Sequence, residues 1–118
     1  MIGREKRRNC LAIPLFTCEA VIAESCFLLR RTKSGQDAVM SMLEAGVIKI
    51  PFHLDDEIGT IRELMRKYQN VPMAFADACL VRMSELIEGS EVLTNDSDFR
   101  IYRKNKNDLI DLITSDKL

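Results

Sequence analysis

Four acids and one threonine are the residues of this chain whose types and settings invite chemistry. Glu24 sits in "EAVIAESCFLL", where its helical neighbours three and four positions away are Ala20, Val21, Phe27 and Leu28, so a helix here places it on an apolar face. A lone carboxylate buried on such a face is costly unless it is protonated, paired with a cation or bound to a metal. Asp77 repeats the pattern in "VPMAFADACLVRMSE", among Met73, Ala74, Leu80 and Val81, although aspartate is a poor residue for a helix interior. Asp96 and Asp98 follow the apolar "EVL" and stand beside Thr94, at a strand end, where α/β sheets build their sites.

Each acid also has a plainer reading. Glu24 could lie at the rim of its face and bridge to Arg30 or Arg31, Asp77 could cap a helix that starts there, and Asp96 could cap a short helix beginning at Phe99. Taken together, acids from three separate elements say more. At ~4 Å and an effective dielectric near 20, each like-charge pair costs on the order of 4 kcal/mol, so a gathered set calls for a cation. With oxygen donors only, that cation is Mg²⁺ or Mn²⁺. Zinc would need ligands scattered along the chain, because His53 is the lone histidine and reads as structural. Carboxylate-held metal with basic residues near by suits phosphodiester chemistry, in which the metal activates water and stabilises developing charge.

The elements that must position these residues alternate along the chain. The pattern predicts a short strand at 11–16 limited to an edge or end by Pro14, a helix at 18–31 capped by Thr17, a helix at 35–45 capped by Ser34 and ended by Gly46, and a strand at 47–52. Ile58, Ile61, Leu64, Met65 and Tyr68 then recur at helical spacing, the clearest helix in the sequence. A helix at 74–88, a strand at 91–95 and a last strand at 108–114 complete a layered α/β domain with a largely parallel sheet.

Composition bounds the setting. A chain of 118 residues, 47% hydrophobic, is one domain with a core large enough to fold without staples. Its four cysteines form no C-x-x-C pair, and Cys18 and Cys26 would stand roughly 12 Å apart on a helix, which fits a reducing cytoplasm. The basic start followed by an apolar run imitates a signal peptide, but Pro14 interrupts the run, Glu19 follows it, and it is too short to span a membrane. The net charge of −1 neither demands nor excludes nucleic acid; the basic clusters at 4–8, 30–33, 65–67 and 100–106 read first as solvated surface.

The segments "PLFTCEAVIAESCFLL", "LMRKYQNVPMAFADACLVRMSE" and "VLTNDSDFRIYRK", in this order, resemble the successive signature segments of a PIN domain, the fold of VapC-type toxin ribonucleases. The resemblance spans about Pro14 to Lys104, with "FADACLVRMSE" and "LTNDSDF" its specific part. It implies an α/β/α three-layer sandwich whose acidic pocket binds Mg²⁺ or Mn²⁺ and cleaves RNA. By that resemblance Glu24 matches the acid of the family's early helix, Asp77 its metal-binding aspartate, Asp96 the aspartate after the late strand, Asp98 a frequent additional acid and Thr94 the small hydroxyl residue near the pocket. It also implies a homodimer held inactive by a small antitoxin.

The family opens with a hydrophobic strand ending in an aspartate, and here "MIGREKRRNC" takes that place, with no aspartate before Asp37 and no strand signal. The expectation is therefore a single PIN-like domain over 1–118, N-terminally incomplete, with a basic segment at 1–10 in place of the first strand. Loss of that central strand should expose sheet edge. The implied activity is that of a metal-dependent endoribonuclease, impaired by truncation, with Arg100, Arg103 and Lys104 guiding the RNA backbone. The rival is a non-catalytic PIN-like module that binds an antitoxin or other protein. A phosphoacceptor domain using Asp55 and Asp56 fits less well, since those acids suit a helix start.

Overall fold

A computed structural model gives the structure of residues 1–7, 10–11, 13–94 and 96–114, the side chains of residues 4–7, 10 and 11 excepted. The basic cluster at 4–8, as a surface feature, and the strand positions expected at Ala12 and Asn95 lie outside the described residues.

Helices form where the apolar spacing demands them. They are α1 (Glu19–Leu28), α2 (Gly35–Glu44), α3 (Leu54–Lys67) and α4 (Phe75–Leu86), each near its expected bounds. The stripe of α3 buries Ile61 and Leu64, and its ends suit the helix dipole, with Asp55, Asp56 and Glu57 in the first turn and Arg66 and Lys67 in the last. Gly46, at φ 78°, closes α2 in the left-handed region, where its N–H reaches the Leu43 carbonyl. The two expected hydroxyl caps are not made. Ser34 is itself left-handed and its side chain caps nothing, and α1 starts after Cys18, leaving Thr17 inside the core.

The strands are β1 (Ile2–Arg7), β2 (Cys10–Leu11), β3 (Leu15–Phe16), β4 (Ile48–Lys49), β5 (Ser90–Leu93), β6 (Arg103–Lys104), β7 (Asp108–Leu109) and β8 (Leu112–Ile113). The main sheet has the order β4-β3-β1-β5-β8, with β2 attached to β1, while β6 and β7 form a separate hairpin. Four of the five strands run in one direction; β1 lies between β3 and β5 and runs against both. The fold is thus mixed α/β with a mostly parallel sheet. The expectation of a missing central strand is corrected, because the N-terminal segment fills the central position. The strand at 11–16 is likewise split around Pro14, and its second half, β3, is internal, not at an edge.

Only the first residues of β1 belong to the main sheet. Ile2 pairs with Phe16 and Val92, Gly3 with Glu91 and Arg4 with Ser90, after which Glu5 and Arg7 pair with β2. Ile2 is fully buried and joins Phe52, Ile61, Leu64, Val81, Val92, Phe99 and Tyr102 in one core. Among the described residues no helix is long and apolar enough to cross a membrane.

Since Ile2 fills the centre of the sheet, Ile2→Ala should lower stability by about 2–5 kcal/mol. Urea denaturation checks this; a loss below about 0.5 kcal/mol would mean that β1 contributes no core packing.

Candidate functional site

Asp77 owes its place to the way α4 begins. Pro72 and the extended Ala74 (φ −71°, ψ 161°) bring the chain in, and Asp77, in the first turn, turns its Oδ2 back to accept the Ala74 N–H at 3.1 Å. This is the carboxylate half of a capping box, and it accounts for an aspartate within "FADACLV". The Tyr102 hydroxyl donates to the Pro72 carbonyl and stands 3.5 Å from the same Oδ2. Tyr102 is held in turn by edge-to-face contacts with Tyr68 and Phe99, each with centroids 5.1 Å apart.

Asp96 is fixed by a second cap. It precedes a short 3₁₀ turn, Ser97–Arg100, and its Oδ1 accepts the Asp98 N–H at 2.9 Å. Its own N–H donates to Thr94 Oγ1 at 3.0 Å, and the Thr94 N–H donates to the Ile113 carbonyl at 3.0 Å, which ties the loop to β8. The Asp98 carbonyl accepts the N–H groups of Ile101 and Tyr102, so the loop that carries the acids also delivers the tyrosine.

Glu24 differs from its expected setting: on α1 it is exposed, not buried on the apolar face. The expected alternative, a bridge to Arg30 or Arg31, is not found either. Arg30 donates to the Phe27 carbonyl at 2.7 Å and stacks on the Phe27 ring, and among the described residues the ion pairs are those of Arg82 with Glu57 at 2.6 Å and Glu85 at 3.1 Å.

Electrostatics show which acids share a neighbourhood. Burial pushes the Asp77 carboxyl above the usual aspartate range, the charges of Asp96 and Glu24 push it further, and the Ala74 N–H and Tyr102 hydroxyl hold it down. Burial and the charges of Asp77, Asp98 and Asp96 likewise push the Tyr102 phenol well up. Asp96 and Glu24 thus act on Asp77, and Asp77, Asp98 and Asp96 act on the neighbouring Tyr102. Among the described residues, no three His, Cys, Asp or Glu side chains are close enough together to hold a metal ion as they stand. The capping bonds engage one oxygen each of Asp77 and Asp96 and leave Asp77 Oδ1 and Asp96 Oδ2 outside those bonds. In its chemistry this donor set, carboxylate oxygen alone, fits Mg²⁺ or Mn²⁺.

The expected RNA-guiding cations are placed unequally. Arg100 is exposed and Lys104 half-buried, whereas Arg103 directs Nη1 to the carbonyls of Arg100, Ile101 and Tyr102 at 2.7, 2.9 and 3.1 Å and so closes the 3₁₀ turn. Tyr102 escaped the sequence reading; its signal was the pairing of Phe99 and Tyr102 three residues apart in a stretch rich in charged residues. The larger clefts lie elsewhere, one of about 310 Å³ between α3, α4 and the β6–β7 hairpin and one of about 440 Å³ on α3 beside Phe75. Compared with known proteins, the chain matches no family model and no curated protein.

Asp77 holds its proton more tightly in the folded chain than in the unfolded one. The resulting penalty on stability is absent below the ordinary aspartate pKa, grows as pH rises through the folded value and is complete above it. Asp77→Asn, which keeps an oxygen for the Ala74 N–H, should therefore stabilise the protein at pH 7, with a gain that shrinks toward zero at low pH. Urea midpoints across pH measure this; a substitution that destabilises at pH 7 would contradict it.

Proposed function

We propose that this chain is a PIN-like ribonuclease of the VapC type, with an α/β/α sandwich fold, that hydrolyses RNA phosphodiesters with the help of Mg²⁺ or Mn²⁺. The observation that carries the reading is the convergence of carboxylate charge on Asp77, from Asp96 and Glu24, and on its neighbour Tyr102, from Asp77, Asp98 and Asp96, with no ion pair to neutralise these acids among the described residues. Like charges brought together at a cost suit a cation bound in use.

In this reading Asp77 and Asp96 would hold the metal through the oxygens that their caps leave over, and Glu24 and Asp98 would act directly or through water. The ion would supply an activated water and neutralise charge on the phosphodiester. The capping bonds fix the two aspartates before any ligand arrives, and the Tyr102 hydroxyl stands beside the capped oxygen of Asp77. Exposed Glu24 and Asp96 leave the site open to a long polymer, and exposed Arg100 would meet its phosphates. An RNA substrate, a small antitoxin, a homodimer and a cytoplasmic setting belong to the same reading.

A specific observation favours the second reading, a PIN-like module that binds a partner without cutting RNA. Because β1 runs against its neighbours, its first residues lie at the end of the sheet where β5 leads into the acids, and Leu93 donates its N–H to the Met1 carbonyl at 2.8 Å. Apolar Met1 and Ile2 thus stand where the family resemblance implies a strand-end aspartate.

Calorimetric titration of Mn²⁺ into the folded chain, with cleavage of a single-stranded RNA in the same buffer, separates the two. The nuclease reading expects binding and cleavage that fall at least about a hundredfold in Asp77→Asn and Asp96→Asn. A folded chain that binds no Mn²⁺ and leaves RNA intact overturns the nuclease reading and leaves the binding-module reading standing.

A further inference from the structure

Away from the acids, a cleft of about 310 Å³ opens between α3, α4 and the β6–β7 hairpin, at the lower end of the range of small-molecule sites. Four cations line it, each from a different segment: Lys67 ends α3, Arg82 lies in α4, Arg103 in β6 and Lys106 in the turn between β6 and β7. The acids in its wall are Glu63 and Glu85.

These charges are not all spent on one another. Arg82 holds Glu57 at 2.6 Å and Glu85 at 3.1 Å, and Glu85 also accepts the Asn105 N–H at 2.6 Å, so this group ties α3, α4 and the turn together. Lys67 donates one N–H to the Lys106 carbonyl at 2.7 Å and keeps two of its three. Arg103 meets its three carbonyls through Nη1, which leaves Nε and Nη2 outside those bonds. Lys106 has no ion pair among the described residues. Lys67, Arg103 and Lys106, each with donors to spare, thus face Glu63 alone, and Glu63 is exposed.

The turn gives an independent sign. Asn105 and Lys106 have φ of 49° and 74°. Asparagine tolerates that left-handed region, but the Cβ of a lysine is crowded there and glycine is the ordinary choice. Lys106 is exposed, so burial of its side chain does not offset the strain. A strained residue that packing does not explain, at the wall of a cleft, is the mark of a position kept for a ligand.

We propose that this cleft binds the terminal phosphate of a small phosphomonoester, such as a mononucleotide or a sugar phosphate. Ammonium and guanidinium donors from three segments suit the three terminal oxygens of a phosphomonoester dianion better than the two of a carboxylate. A phosphodiester inside a polymer also offers only two such oxygens and a single charge. The cleft is larger than a phosphate ion needs, which leaves room for the esterified group. This assignment does not depend on the ribonuclease reading.

Adenosine monophosphate, adenosine and inorganic phosphate are each titrated into the isotope-labelled chain by NMR at fixed ionic strength, in EDTA so that no divalent metal reaches the acids. The monophosphate should give saturable amide shifts at the end of α3, in the middle of α4 and in the β6–β7 turn, and bind more tightly than inorganic phosphate or adenosine. Its affinity should fall at least about tenfold in Lys67→Met and in Lys106→Gly, the loss of one charge-assisted contact, while Arg31→Ala, which removes an exposed cation elsewhere, binds as wild type. Lys106→Gly should also raise the urea midpoint by relieving the turn, so that its lost binding cannot be lost folding. The proposal is overturned by the absence of saturable shifts, by adenosine, inorganic phosphate or succinate binding as tightly as the monophosphate, by displacement with an RNA oligomer that lacks terminal phosphate, or by wild-type affinity in Lys106→Gly.

Discussion

Seven of the twelve residues of α4 are buried: Ala76, Ala78, Cys79, Leu80, Val81, Met83 and Ser84. A helix covered on so much of its surface must be approached closely, and its small residues permit that approach by α1 and α3 as well as by β1 and β5. Leu80, Val81 and Met83 each contribute about 1.5–3 kcal/mol through burial. Because α4 cannot slide without opening that packing, its first turns hold a fixed relation to the sheet and to α1. Asp77 and Cys79 inherit their positions from this constraint.

The capping roles of Asp77 and Asp96 are compatible with the metal-binding roles proposed for them. A carboxylate has two oxygens; one satisfies a backbone N–H that the turn leaves open, and the other remains for a ligand. The cap also removes rotamer freedom that binding would otherwise have to remove. Local order thus comes from interactions that favour folding, while the proximity of like charges opposes it. Such opposition is the usual mark of a site kept for use at the expense of stability.

Legibility in the sequence followed the physics of each element. Helices α3 and α4 were readable because their burial repeats at helical spacing, and Asp77 and Asp96 because an acid among apolar residues or at a strand end is conspicuous. Strand β1 was not readable, since only Ile2, Gly3 and Arg4 pair within the main sheet and the charged remainder continues into a hairpin with β2. A central strand is expected to be continuously apolar, and three residues cannot show that pattern. Glu24 was read as buried because Phe27 and Leu28 share its helical neighbourhood, yet both are themselves exposed, at 60% and 69%.

Two acidic groups at helix starts end with opposite tendencies, and the comparison shows what sets them. Cys18 at the start of α1 is lowered, whereas Asp77 in the first turn of α4 is raised. A helix N-terminus favours negative charge by only about 0.3–1 kcal/mol at an exposed position, so neighbours decide. Cys18 has a thiol donor and two backbone N–H groups, which exceed its desolvation. Asp77 has one backbone N–H and a distant phenol against burial and two carboxylates. The dipole is common to both; the hydrogen-bond donors and the charges around the two groups are not, and they make one helix start favour an anion and the other disfavour it.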